Sequence, residues 1–154
     1  MKFITANPPP ENEEPIVNTN FWPSVDLADL RDVMRIDGTV STQRLRHIAL
    51  NEIASVNGEL FVWRDEQKAK GYSSLSAVPA DSIGGHSIHL FRYKQAVYCK
   101  TKAGLLERYR DYDATNSGNQ KAEEMPDSID DLRRDAAWAI SEIQGLPHST
   151  VELI

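Results

Sequence analysis

A chain of 154 residues with 40% apolar residues, 26% charged residues and a net charge of −6 reads as one soluble globular domain with polar extensions. That length is enough to bury a core, and the acidic balance argues against a general nucleic-acid coat, which needs a basic face. The lone Cys99 permits no intrachain disulfide and fits an intracellular folding compartment; no apolar run approaches a membrane span, and the start MKFITANPPPENEEP is unlike a signal peptide.

Residues 1–23 read as an extended N-terminal arm. Pro8, Pro9, Pro10 and Pro15 forbid regular helix, and Glu11, Glu13 and Glu14 are expected to solvate the segment. Phe21, Trp22 and Pro23 end it as a dense apolar cluster, which either closes one end of the core or meets a neighbouring subunit. Ser24 offers an N-cap for a short helix over 25–36, with Asp26 in its first turn and Val25, Leu30, Val33, Met34 and Ile36 on one face. Asp37 and Gly38 stop it.

Ser41 or Thr42 opens the longest helical pattern, which ends at Gly71. Leu45, Ile48, Ala49, Ile53, Val56, Leu60 and Trp63 recur at about 100° per residue, with Glu52 inside the stripe. Leu50, Ala54 and Phe61 form a second stripe beside it. A helix with two apolar stripes packs on two sides, the second partner being a helix of this chain or another subunit. Gly58 in mid-helix points to a close backbone approach.

Residues 72–86 are a loop punctuated by Pro79 and Gly84-Gly85, pinned by Leu75 and Val78, with a turn of helix around 74–77. Ser87 caps a helix running to about Tyr112, on which Ile88, Phe91, Tyr98, Cys99, Leu106 and Tyr109 share a face interrupted by Gln95 and Lys102. A polar loop follows over 113–120, then a turn of helix over 121–125 before Pro126. The final helix runs to about Gln144 with Ile129, Leu132, Ala136, Ile140 and Ile143 on one side; Gly145 ends it and Pro147 prevents its continuation. The expected fold is all-α: a small bundle of about four helices over 24–146, with the arm before it and a short strand-like C-terminal tail over 147–154.

Chemistry is thinly represented. His86 and His89 are spaced like a helical metal pair, but His47 and His148 are distant and no HExxH or cysteine cluster exists, so two surface or loop-end histidines are the better reading. Cys99 on an apolar helix face reads as core rather than nucleophile. Asp111 and Asp113 at a helix end read as capping or solvated groups rather than paired acid and base. Gly84-Gly85 has no Lys-Ser/Thr behind it and is no phosphate loop. Arg92, Lys94, Lys100, Lys102, Arg108 and Arg110 spread around their helix instead of forming a phosphate-tracking stripe. No catalytic residue, metal ligand or cofactor is expected.

Trp138 stands opposite the apolar face of the last helix. It is covered by the arm or a loop, or else it anchors an interface. In the tail, Thr150 and Glu152 alternate with Val151 and Leu153. Ser149, Thr150, Val151, Glu152, Leu153 and Ile154 read as a strand packed on its own domain or, with no confident strand elsewhere to pair with, as an extension into a partner's sheet edge or groove.

Four segments, MRIDGTVSTQRLRHIAL (34–50), ASVNGEL (54–60), FRYKQAVYCKTKAGLLERYRDYDATNSG (91–118) and DDLRRDAAWAISEIQGLPHSTVELI (130–154), make the chain resemble the head completion (head stabilisation) proteins of temperate contractile-tailed phages. The resemblance covers roughly residues 21–154; ERYRDYD and the Trp-bearing helix ending in TVELI carry most of it, and Pro126 departs from it. It implies a non-enzymatic neck adaptor in the virion, assembled in the host cytoplasm. Such an adaptor binds the portal protein after DNA packaging, stabilises the filled head and prepares it for tail attachment. It also implies a ring of copies, twelve if it matches the portal, a downstream neck or tail-completion protein, and packaged DNA that passes without specific binding. By that likeness residues 149–154 are the portal-binding segment. Leu50, Ala54, Phe61, Trp138, Phe21 and Trp22 are the candidates for contacts between copies. A DNA-binding or regulatory helical protein is the competing reading, and it requires basic residues gathered on one face.

Overall fold

The computed structural model describes residues 7–112 and 128–148, with side chains of the first stretch described through Arg108. Among these residues the chain is mostly helical: α1 (Leu27–Met34), α2 (Thr42–Glu59), α3 (Phe61–Ala69), α4 (Ile88–Tyr112) and α5 (Ile129–Ile143), with a 3-10 turn at Leu75–Ala77 and a hairpin of β1 (Ser82–Ile83) and β2 (His86–Ser87). The described residues therefore hold five α-helices where about four were expected. The turn of helix expected over 121–125 and the strand-like tail lie outside them.

α4 is the centre of the body. Tyr93, Ala96, Val97, Tyr98, Cys99, Thr101 and Ala103 are all buried, so this helix is covered on more than one side. It packs against α5, α2, α1 and the 3-10 turn. Phe91, expected on the core face, is instead 61% exposed. A helix covered on several sides hides its apolar stripe among other buried positions, and periodicity no longer selects one face.

Leu45, Ile48, Ala49, Ile53, Val56 and Leu60 are buried as their spacing predicts. The single helix expected over 42–71 is broken at Leu60, whose backbone leaves helical geometry at φ −99°, ψ 9°. Gly58, a weak helix former, stands two residues before the break. The core stripe nevertheless continues across it through the partly buried Trp63 and the buried Gln67. Gly58 itself is open: a Cβ there would meet nothing within 4 Å. Helix α4 faces α2 closely at Gly104, where an added Cβ would lie 3.3 Å from the Ile48 side chain.

The N-terminal segment is extended, as its prolines require, but it is fastened to the body. Ile16 is buried and pairs with Val25 through two backbone hydrogen bonds, Ile16 N to Val25 O at 2.8 Å and Val25 N to Ile16 O at 2.9 Å. This pairing occupies Val25, so α1 is capped by Asp26, not Ser24. Glu13 does not solvate the segment. It accepts two hydrogen bonds from Arg31, at 2.6 and 2.9 Å, and one from the Thr42 hydroxyl at 2.7 Å. Both charged side chains are only 2% exposed. Arg31 donates further to the carbonyls of Asp37 and Val40, so one guanidinium ties the strap, α1 and the loop leading to α2 together. Gly38 is needed for space: a Cβ there would sit 2.2 Å from the Pro8 carbonyl oxygen.

Phe21 and Trp22, offered as contacts between subunits, are 3% and 4% exposed and belong to the chain's own core. The Trp22 ring stacks on Tyr93 (4.9 Å, 10°), and Trp63 packs beyond it (6.4 Å, 22°). Below them Asn18, Asn57 and Tyr93 close a ring of hydrogen bonds. The Asn18 amide donates to the Tyr93 hydroxyl, which donates to the Asn57 carbonyl oxygen, while the Asn57 amide donates back to Asn18. The aromatic cluster closes one end of the core, the first of the two readings its sequence allowed.

Candidate functional site

Of the large apolar side chains that the fold leaves exposed, Leu50, Phe61 and Val62 lie on α2 and α3, and Val17, Val33, Ile83, Phe91 and Leu146 lie elsewhere. Leu50 is 46%, Phe61 50% and Val62 68% exposed, and Ala54 between them is exposed too. The second stripe therefore has no covering helix among the described residues. The Arg64 guanidinium lies 4.7 Å from the Phe61 ring centroid. Such a cation on one aromatic flank leaves the rest of the ring available to a neighbour.

On α5 the buried face is Leu132, Ala136, Ala139, Ile140 and Ile143. Trp138 lies outside it and is half-buried. Its covering comes from two nearby side chains. The His148 ring lies parallel to the indole at 4.6 Å and 4°, and the Arg134 guanidinium sits 4.7 Å from the indole centroid. His148 also pairs with Glu142 at 2.8 Å, and Glu142 is held from α4 by Arg92 at 3.2 Å. The contact between Trp138 and His148 escaped the sequence reading. The signal was present in the Gly-Leu-Pro-His run that turns the chain after the helix.

The candidates for chemistry stay apart. His86 is exposed at the hairpin, whereas His89 is buried with its ring edge against Trp63 at 5.5 Å. Burial, aided by the positive charge of Arg92, pushes the His89 pKa below the ordinary histidine value and favours the neutral ring. Cys99 is buried. No group of three or more metal-ligating side chains forms among the described residues, and no helix there is long and apolar enough to cross a membrane. Asp111 and Asp113 lie outside the described side chains.

Four cations of α4 are engaged with the body, and Arg108 is exposed. Lys94 pairs with Asp29 at 2.8 Å, Lys100 with Glu59 at 2.9 Å and Arg92 with Glu142. Lys102 is buried and reaches the Arg35 carbonyl at 3.5 Å. The Lys94 hydrogen bond, with a second from the Tyr98 hydroxyl, holds the Asp29 carboxyl below its ordinary range. Burial, together with the carboxylate of Asp29, pushes the Tyr98 hydroxyl well above its ordinary value. These groups fasten α1, α2 and α5 to α4 and do not line up for phosphates. Arg110 lies outside the described side chains.

The hairpin is a further element that the sequence did not announce. Gly84 and Gly85 both have positive φ, 64° and 84°, as a two-residue connection of the type I′ class requires. The Asp81 carbonyl accepts from Ile88 N, and the Ser87 hydroxyl accepts from His89 N, so the hairpin delivers the chain into α4 at the cap its sequence predicts.

Among the described residues the outer stripe of α2 and α3 stays uncovered and Trp138 is half-buried. Comparison with known proteins identifies the family. Residues 16–154 match the model of the phage head completion protein (GPL) family. The chain is 41% identical over 148 residues, 96% of its length and 88% of the relative's, to the head completion/stabilization protein of Escherichia phage P2. No solved structure matches it. With the match running from the strap's buried Ile16 through every described helix, the chain belongs to the phage head completion protein (GPL) family, a structural and not an enzymatic class.

Proposed function

We propose that this protein is a neck adaptor of the virion: it binds the portal vertex after DNA packaging, stabilises the filled head and prepares it for tail attachment. The observation that supports this most directly is the family match over residues 16–154. The uncovered apolar face of α2 and α3 adds to it, because an assembling protein needs surface it does not bury by itself.

A ring requires heterologous contacts, in which one patch meets a different patch on the next copy. In this proposal Leu50, Ala54 and Phe61 supply one patch and the exposed part of Trp138 supplies the other. Phe21 and Trp22 take no part. Twelve copies match the portal. Residues 149–154 carry the portal contact, by adding alternating side chains and backbone hydrogen bonds to a groove or sheet edge. The net charge of −6 lets packaged DNA pass without specific binding. Below the ring sits a downstream neck or tail-completion protein. Assembly takes place in the host cytoplasm.

Native mass spectrometry of the chain mixed with its phage's portal ring tests this. The full chain is expected to load the portal, and a chain lacking residues 149–154 is expected to stay folded and not load. Unfolding of the shortened chain would make the tail part of the core; equal loading by both forms would take the portal contact away from the tail.

A further inference from the structure

We infer that Trp138 and His148 form a latch that folds the chain back over α5 and fixes where the segment 149–154 begins. This rests on the proposal that this segment is the one that engages the portal. It adds residues that position the segment without touching the portal.

The geometry starts at the end of α5. Leu146 N donates to the Ser141 carbonyl at 2.9 Å and Gly145 N to the Glu142 carbonyl at 3.2 Å, with Gly145 at φ 69°. This double bond pattern with a left-handed glycine is the helix ending that reverses chain direction. Pro147 then fixes its own φ and restricts Leu146 before it. The reversal brings His148 onto Trp138, which lies seven residues before Gly145 and so about two helical turns back along α5. Face-to-face stacking at 4.6 Å and 4° is joined by the His148 Nε2 contact to Glu142 Oε1 at 2.8 Å. Glu142 is itself fixed from α4, because Arg92 binds both its carboxylate and its backbone carbonyl.

The root of the segment is thus attached to two helices. His148, the last described residue before the segment, lies over the outer face of α5 against Trp138. Without the latch, Leu146, Pro147 and His148 would have to be placed when a partner is engaged. With it, they are placed beforehand. Ordering side chains and chain on binding opposes association, so fixing the root in advance strengthens it.

The test uses the full chain and the portal ring, with His148→Ala, Trp138→Ala, the double variant and the chain lacking 149–154 titrated side by side by native mass spectrometry. Each single variant is expected to load about three- to tenfold more weakly. The double variant is expected to be no weaker than the worse single one, because the two residues act through one contact. An unchanged single variant, or fully additive losses, beside a truncation that abolishes loading would overturn the latch and leave the portal contact in place. A truncation without effect would overturn the portal contact and with it the latch's role. The contact itself is read separately by proton NMR of the free chain. An upfield-shifted histidine ring signal that vanishes in His148→Ala and returns to its ordinary position in Trp138→Ala supports the stack. A His148 signal at its ordinary position in the full chain overturns it.

Discussion

Glu13 and His148 each tie an extended segment to the helical body, Glu13 inside the protein and His148 on its surface. Glu13 and Arg31 are almost fully removed from water and hydrogen-bond to each other, to the Thr42 hydroxyl and to the Asp37 and Val40 carbonyls. His148 and Glu142 remain more than a third exposed, and a pair at that exposure contributes about 0–1 kcal/mol. The strap is therefore part of the fold, whereas the turn after α5 is held by weaker surface contacts.

The largest expected effect breaks the buried side of this comparison. Glu13→Ala leaves the Arg31 guanidinium buried without its counter-charge, and loss of one partner from a buried pair costs about 3–5 kcal/mol. For a chain of this size that lowers Tm by roughly 10 °C or more, measured by circular dichroism. A change of only a degree or two would show that the strap is a surface segment like the other end. Acid approaches the same bond more gently. Burial alone would raise the Glu13 carboxyl, but the hydrogen bonds from Arg31 and Thr42 and the charge of Arg31 outweigh it and hold its pKa below the ordinary value of 4.5. The pair's contribution is thus complete above that value and is lost as pH falls through the lowered one.

A smaller effect sharpens the comparison from the strap's aromatic end, where His89 packs against Trp63 beside Trp22. Its folded pKa lies below the ordinary 6.5, because burial and then the charge of Arg92 disfavour the imidazolium. Between the lowered value and 6.5 the unfolded chain binds more protons than the folded one, so stability rises with pH across that window. The contribution is complete above 6.5 and is lost as pH falls below it. Thermal melts between pH 5 and 7.5 are expected to show this slope, and His89→Leu is expected to flatten it. An unchanged slope in the variant would assign the pH dependence elsewhere.

The same contrast explains what could be read from the sequence. The stripe Leu45–Ile48–Ala49–Ile53–Val56–Leu60 was legible because a helix covered on one main side repeats its burial every turn. Phe91 was misread because α4 is covered on several sides. The break at Leu60 was missed because the core stripe continues across it. Glu13 looked like a solvating charge because Arg31, its partner, lies 18 residues away and one carboxylate among prolines carries no mark of its destination. Of the candidate site, the outer stripe Leu50, Ala54 and Phe61 was visible as periodicity. Whether it was covered could be decided only once α2 had been placed against α4. Phe21 and Trp22 failed as interface residues for the same reason in reverse: their apolar character was plain, but the Tyr93 and Trp63 rings that cover them come from distant helices.

Trp138→Ala probes the lightly held end and is expected to have the smallest effect on the isolated chain. The indole is half-buried, its two covering partners are Arg134 and His148, and no core side chain of α5 depends on it. A cation over an exposed ring and one stacked imidazole together amount to about 1–2 kcal/mol. The melting temperature is therefore expected to fall by a few degrees, well short of the fall for Glu13→Ala. Loading on the portal ring and self-association, read from the same preparation by native mass spectrometry, are expected to fall by a larger factor than that stability loss alone allows. If thermal and assembly losses match, Trp138 is internal packing and the two ends of the chain are held alike. A clear excess in assembly makes the surface stack a contact the fold can spare and the assembly cannot.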